Sequence, residues 1–158
     1  MALDVGAVAV EQRDAGVDGV RRARQPAEHL GRLRLGQAEA PPQRRQRAGA
    51  RDVKDLNALV LEADIFLSIL PPVAAIDLAR KAAVAMKSVG TTLTYVDCNA
   101  VSPGTVREIA SVIDAAGAPF IDAGIIGNAP GKATPRFYVS GPDTSAMRAL
   151  DGHGITVI

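Results

Sequence analysis

The sequence predicts an α/β fold, a mostly parallel sheet with helices on both faces. Three observations carry this expectation. From residue 55 onward, short apolar runs of strand length alternate with segments of helical period. The run ADIFLSIL, residues 63–70, is broken only by Asp64 and Ser68, as a strand covered on both faces requires. Residues that start and stop helices stand between the runs. Such alternation winds a parallel sheet right-handedly.

Each element has its own signal. Asp55 suits the cap of a short helix with Leu56, Leu59, Val60 and Ala63 on its apolar face. Pro71 and Pro72 end the first strand, since proline donates no ladder hydrogen bond, and Pro72 suits the first turn of the next helix. That helix, about 73–89, turns Val73, Ile76, Ala79, Ala83 and Met86 inward. Asp77 and Lys81 would pair outside, and Gly90 would end it. TLTYVDCN reads as the second strand. Ser102-Pro103 is a cap and first-turn pair opening a helix with Val106, Ile109, Ala110, Ile113 and Ala116 inward, ended by Gly117. PFIDAGIIG is a third strand and RFYVSG a fourth, with the loop GNAPGKATP between them. Asp143 caps a short helix holding Met147 and Leu150, and ITVI ends as a strand. The order is α-β-α-β-α-β-β-α-β. Three strand ends then share one crevice: Leu70-Pro71-Pro72, Asp97-Cys98-Asn99 and Asp122-Ala123-Gly124.

Composition narrows the function. A net charge of +1 gives no reason to invoke nucleic acid or an anionic membrane, and aromatic residues at 3% argue against base-stacking platforms. One cysteine, Cys98, allows neither an internal disulfide nor a multi-cysteine metal site, and it fits a reducing cytoplasm. No apolar run spans a bilayer and no metal site is expected.

The two parts of the chain differ. Residues 1–50 lack Ser, Thr, Asn, Lys, Ile, Phe and Tyr, and carry nine Arg against six acids, or +3. The remainder carries nine basic and eleven acidic residues, or −2. Residues 1–46 therefore read as an atypical Arg/Ala/Gly-rich segment, disordered or weakly helical, and 47–158 as the folded domain. A basic tail and a plain extension compete with a segment foreign to the fold's original reading frame, and the last is favoured.

EADIFLSILPP, YVDCNAVSPGTVREIA and GAPFIDAGIIGNAPGKATPRFYVSGP together resemble the nucleotide-binding domain of the β-hydroxyacid dehydrogenases, the family of 6-phosphogluconate and 3-hydroxyisobutyrate dehydrogenases. The resemblance runs from about Arg47 to the end. It implies a doubly wound Rossmann-type domain, present in part, that binds NADP or NAD and serves oxidation of a small-molecule hydroxy acid. By the same resemblance Leu70, Pro71, Pro72 and Asn99 would face the cofactor. Asp122, Ala123, Gly124, Gly127 and Asn128 would face the substrate, whose carboxylate backbone N–H groups receive.

Three departures bear on activity. The G-x-G-x-x-G fingerprint is missing; the glycines nearest to it, Gly6, Gly16 and Gly19, do not fit its spacing. The family's catalytic lysine belongs to a helical domain, and none of Lys54, Lys81, Lys87 or Lys132 lies in its motif. Ile126 stands where better-known members carry Ser. The chain is expected to be a fragment, inactive alone, with no catalytic residue of its own. The alternative is a non-catalytic α/β module that pairs with a helical subunit or with itself through an open sheet edge, formed by ITVI or by the Phe66-bearing strand.

Several residues carry two readings. Asn99 either caps the turn before Ser102 or contacts cofactor or substrate. Asp122 either fixes its own loop or serves the ligand. Cys98 reads as a packed residue and His153 as an exposed turn residue. Lys132 and Arg136 read as an anion-attracting rim or a solvated one.

Overall fold

The computed structural model describes residues 7–12, 34–36, 51–53, 55–127 and 133–158. The strands are β1 (Ala7–Gln12), β2 (Arg34–Gly36), β3 (Arg51–Val53), β4 (Ala63–Ile69), β5 (Thr94–Asp97), β6 (Phe120–Ile126), β7 (Arg136–Ser140) and β8 (Thr156–Val157). The helices are α1 (Leu56–Glu62), α2 (Ala75–Val89), α3 (Pro103–Asp114) and α4 (Ser145–Arg148). A short 3-10 turn, Pro72–Ala74, leads into α2. The strands form one sheet in the order β3-β2-β1-β4-β5-β6-β7-β8. From α1 on, the element order is the one the sequence predicts.

The sheet's centre is parallel: β4 pairs with β5, and β5 with β6. The pairs β2–β3 and β7–β8 are parallel as well. β6 and β7 form an antiparallel hairpin. β1 runs antiparallel to both β2 and β4. Within 1–46, expected to be disordered or weakly helical, the structure thus describes two strands; the rest of that segment lies outside the described residues. The Phe66-bearing strand is no sheet edge, because β1 covers β4.

Local chemistry sets the helix ends. Asp55 Oδ1 accepts from the Ala58 N–H at 2.8 Å, and Ser102 Oγ accepts from the Thr105 N–H at 3.2 Å. Gly90, at φ 67°, gives α2 its left-handed cap and donates its N–H to the Met86 carbonyl. Asp143 Oδ1 accepts from the Ser145 N–H at α4. Two details depart from the sequence reading. Val73 is 87% exposed rather than inward, because the 3-10 turn rotates it away from the face α2 presents. Asp77 turns to Arg80, three positions on, at 3.7 Å. Arg80 also donates to Glu108 on α3 at 2.8 Å and so ties the two helices together.

A core lies on each face of the sheet. One packs Phe66 and Tyr95 against α1, α2 and α3 through Leu59, Val60, Ala79, Ala82, Met86, Ile109 and Ile113. The other packs Ile65, Val96, Ile121 and Phe137 against Met147 and Val157. Alternation along each strand sends successive side chains to opposite cores. Among the described residues, no helix is long and apolar enough to cross a membrane.

Candidate functional site

Cross-strand register builds the site. Phe66 is aligned with Tyr95, and Tyr95 with Phe120. Their rings stack with centroids 5.0 Å and 6.5 Å apart. Two residues further toward the strand ends, on the same face, Ser68 is aligned with Asp97, and Asp97 with Asp122. An apolar layer thus gives way to a polar one just beneath the carboxyl ends of β4, β5 and β6. Ser68 and Asp97 are fully buried.

Asn99 closes this layer from above. Its Oδ1 accepts from the Leu70 N–H at 2.8 Å, and its Nδ2 donates to Ser68 Oγ at 2.9 Å and to Asp97 Oδ1. Both amide protons and the carbonyl oxygen are therefore engaged inside the protein, and the residue is only 8% exposed. Asp97 Oδ2 has no hydrogen-bond partner. Burial pushes the Asp97 carboxyl above its usual range; the Asn99 and Ser68 hydrogen bonds pull the other way, and the Asp122 charge adds to the rise. Asp122, half-buried, is also raised, mainly by burial. Burial likewise raises the Tyr95 hydroxyl and the Cys98 thiol. Burial with no donor at Oδ2 is what penalises the charged form of Asp97.

The predicted site residues gather around this layer unequally. Leu70 is half-buried, while Pro71 and Pro72 are exposed beside it at the mouth of the crevice, followed by the bare side chain of Val73. Ala123 turns its methyl into the second core, whereas Gly124 and Gly127 are exposed. Asn128 and Lys132 lie outside the described residues. Ile126 is 62% exposed. Cys98 is buried, as its packed reading requires, and His153 is exposed. In the sequence Asp97 stands at a strand end sharing the crevice but without a role of its own, and Ser68 is not singled out. Their signal was a polar side chain at the same height in two neighbouring, otherwise apolar strands.

The C-terminal end of β1 lies away from this layer. Gln12, the last residue of β1, is aligned with Ala63, the first of β4. The chain therefore leaves β1 at the edge of the sheet opposite the crevice. A phosphate-binding turn after the first strand must sit at the carboxyl ends of its neighbours, where backbone N–H groups and a helix N-terminus meet the pyrophosphate. Pro71, Pro72 and Val73 present an exposed apolar surface, and among the described residues no glycine turn follows the first strand at the carboxyl ends of β4, β5 and β6. Among them, no cluster of His, Cys, Asp and Glu could hold a metal ion.

Comparison with known proteins identifies the family. Residues 35–151 match the model of the NAD binding domain of 6-phosphogluconate dehydrogenase. An uncharacterised 28.5 kDa protein from Methanothermus fervidus is 30% identical over 122 residues, covering 77% of this chain and 45% of that protein. A conserved protein of unknown function, described as structurally similar to 3-hydroxyacid dehydrogenases, superposes with a TM-score of 0.61 at 27% identity, covering 75% of this chain and 44% of that one. The fold is shared with Mycobacterium tuberculosis 3-hydroxyisobutyrate dehydrogenase solved with L-serine, at a TM-score of 0.56 and 21% identity, covering 72% and 40% of the two chains. The chain spans less than half the length of these relatives.

Proposed function

The chain belongs to the family of the NAD binding domain of 6-phosphogluconate dehydrogenase, and from that premise we propose that its crevice holds the nicotinamide half of NAD or NADP beside a 3-hydroxy acid. Leu70, Pro71 and Pro72 form the cofactor wall, with Asn99 behind them. Asp122, Ala123, Gly124, Gly127 and Asn128 form the substrate wall, where backbone N–H groups receive the acid's carboxylate. When bound, the nicotinamide supplies a hydride acceptor. The chain's own residues bind, orient and exclude water.

One observation supports this reading above the others: the ends of β4, β5 and β6 stand in register, with the family's motifs at each end. The reaction is a property proposed for a whole dehydrogenase. Among the described residues both lysines, Lys81 and Lys87, lie exposed on α2, so this chain alone is expected to bind cofactor without turning substrate over. Its single cysteine and its proposed cofactor suit a cytoplasmic setting.

Amide shift mapping tests the site. On addition of NADH or NADPH to the isotope-labelled chain, resonances of Leu70, Val73, Asn99 and Gly124 are expected to move, while those of α1 and of Ile113 stay. Shifts confined to the far side of the sheet, or none at millimolar nucleotide, would overturn the proposal.

A further inference from the structure

The geometry points to Asn99 as a positioning residue. Braced by Ser68 and Asp97, it fixes the Leu70 amide and thereby sets the wall of the crevice at Leu70-Pro71-Pro72. This inference rests on the reading of the crevice as a dinucleotide site, and it assigns Ser68 and Asp97 a part that the sequence motifs do not.

Pro71 and Pro72 have no N–H, so the Leu70 amide is the last backbone donor before Val73. The strand ladder ends at Ile69. Beyond it, the Leu70 N–H is held not by a neighbouring strand but by a side chain 29 positions away, at 2.8 Å. Asn99 can do this in one orientation only. Its Nδ2 is turned to two acceptors, Ser68 Oγ and Asp97 Oδ1, which leaves Oδ1 facing Leu70. Asp97 Oδ1 accepts from Asn99 whether or not the carboxyl is charged. The prolines then carry the fixed position of Leu70 outward, because each locks its own φ. A fully engaged amide on a nearly buried residue has no donor left for a ligand, so its effect on a ligand passes through the backbone it holds.

The test uses the full chain with three variants and two measurements. Asn99→Ala removes the bond. Asn99→Asp keeps an acceptor for Leu70 but removes both donors. Ser68→Ala removes one brace and leaves Asn99 in place, which covers the case in which the substitutions at position 99 do not fold. Hydrogen exchange of the Leu70 amide is read against the Met86 and Ile113 amides as references for global opening. It is expected to speed up about tenfold in Asn99→Ala and by about threefold in Ser68→Ala, with the references unchanged. Titration with NADH is expected to show affinity falling about tenfold in Asn99→Ala and Asn99→Asp. Unchanged Leu70 exchange in all three variants would overturn the inference while leaving the dinucleotide reading intact. So would faster Leu70 exchange with unaltered NADH affinity. A wild-type chain that binds neither NADH nor NADPH would overturn the dinucleotide reading, and with it the ligand half of the inference; the Leu70 exchange rates would still decide whether Asn99 holds the turn.

Discussion

Asp97 concentrates the residue-scale argument. It is fully buried, and it faces Ser68 on β4, Tyr95 on its own strand, Asn99 in the turn and Asp122 on β6. None of these groups is a cation. Burial, the first cause, and the neighbouring carboxylate both raise its pKa above the ordinary value of 3.8. Between the unfolded and the raised folded pKa, the folded chain therefore holds a proton there that the unfolded chain has lost. For such a group the stabilising contribution is complete below the unfolded pKa and is lost as pH climbs through the folded one. Asp97→Asn mimics the protonated acid and still accepts from Asn99 Nδ2. Urea midpoints measured from pH 4 to 8 are expected to fall less with pH in this variant than in the wild type, leaving the variant at least as stable at the top of the range. Parallel midpoints, or a variant less stable than wild type at pH 8, would show that Asp97 is charged in the fold.

At the scale of elements, local chemistry decided most of what the sequence made legible. Helix α3 shows how: Ser102 caps it, Pro103 occupies the first position and Gly117 follows its end. Ser102→Ala leaves the Thr105 N–H without its side-chain acceptor and is expected to cost about 1 kcal/mol in urea unfolding, with Ser102→Asp restoring most of it. No loss in the alanine variant would mean that water replaces the cap at no cost. The same local signals gave α1 and the end of α2 correctly; at α4 the cap position is Thr144, and Asp143 accepts from Ser145 one residue before it. They failed where a neighbour, not a local preference, decides. Val73 has the spacing of an inward residue, yet the 3-10 turn at the two prolines swings it outward. Asp77 finds Arg80 because Arg80 is already drawn across to Glu108. In the site, the meeting of three strand ends was legible because each carries its own motif. The Ser68–Asp97–Asn99 network was not, since it depends on which residues of separate strands stand level, and register is a tertiary fact.

In the whole molecule, β1 runs against the parallel direction of β4, β5 and β6. Nothing local in AVAVEQ, residues 7–12, tells which way the strand will run or which neighbour it will pair with. Paired antiparallel to β4, β1 fills the sheet's interior and protects the Phe66 strand. It also delivers its C-terminal end to the wrong edge for the crevice. In a dinucleotide the pyrophosphate draws charge-assisted hydrogen bonds of roughly 1.5–3 kcal/mol each from the turn after the first strand. Losing two of them weakens binding by roughly two to four powers of ten. With no such cradle among the described residues, the proposed site draws its affinity from the nicotinamide end, at Leu70, Pro71 and Pro72. Calorimetric titration is therefore expected to give NADH and NADPH affinities weaker than micromolar. It is also expected to find reduced nicotinamide mononucleotide, which lacks the adenylate half, binding within about tenfold of either. Micromolar affinity for a full dinucleotide, with the mononucleotide a hundredfold weaker or more, would mean that backbone donors reach the pyrophosphate after all and that the edge opposite the crevice is not where the phosphate-binding turn lies.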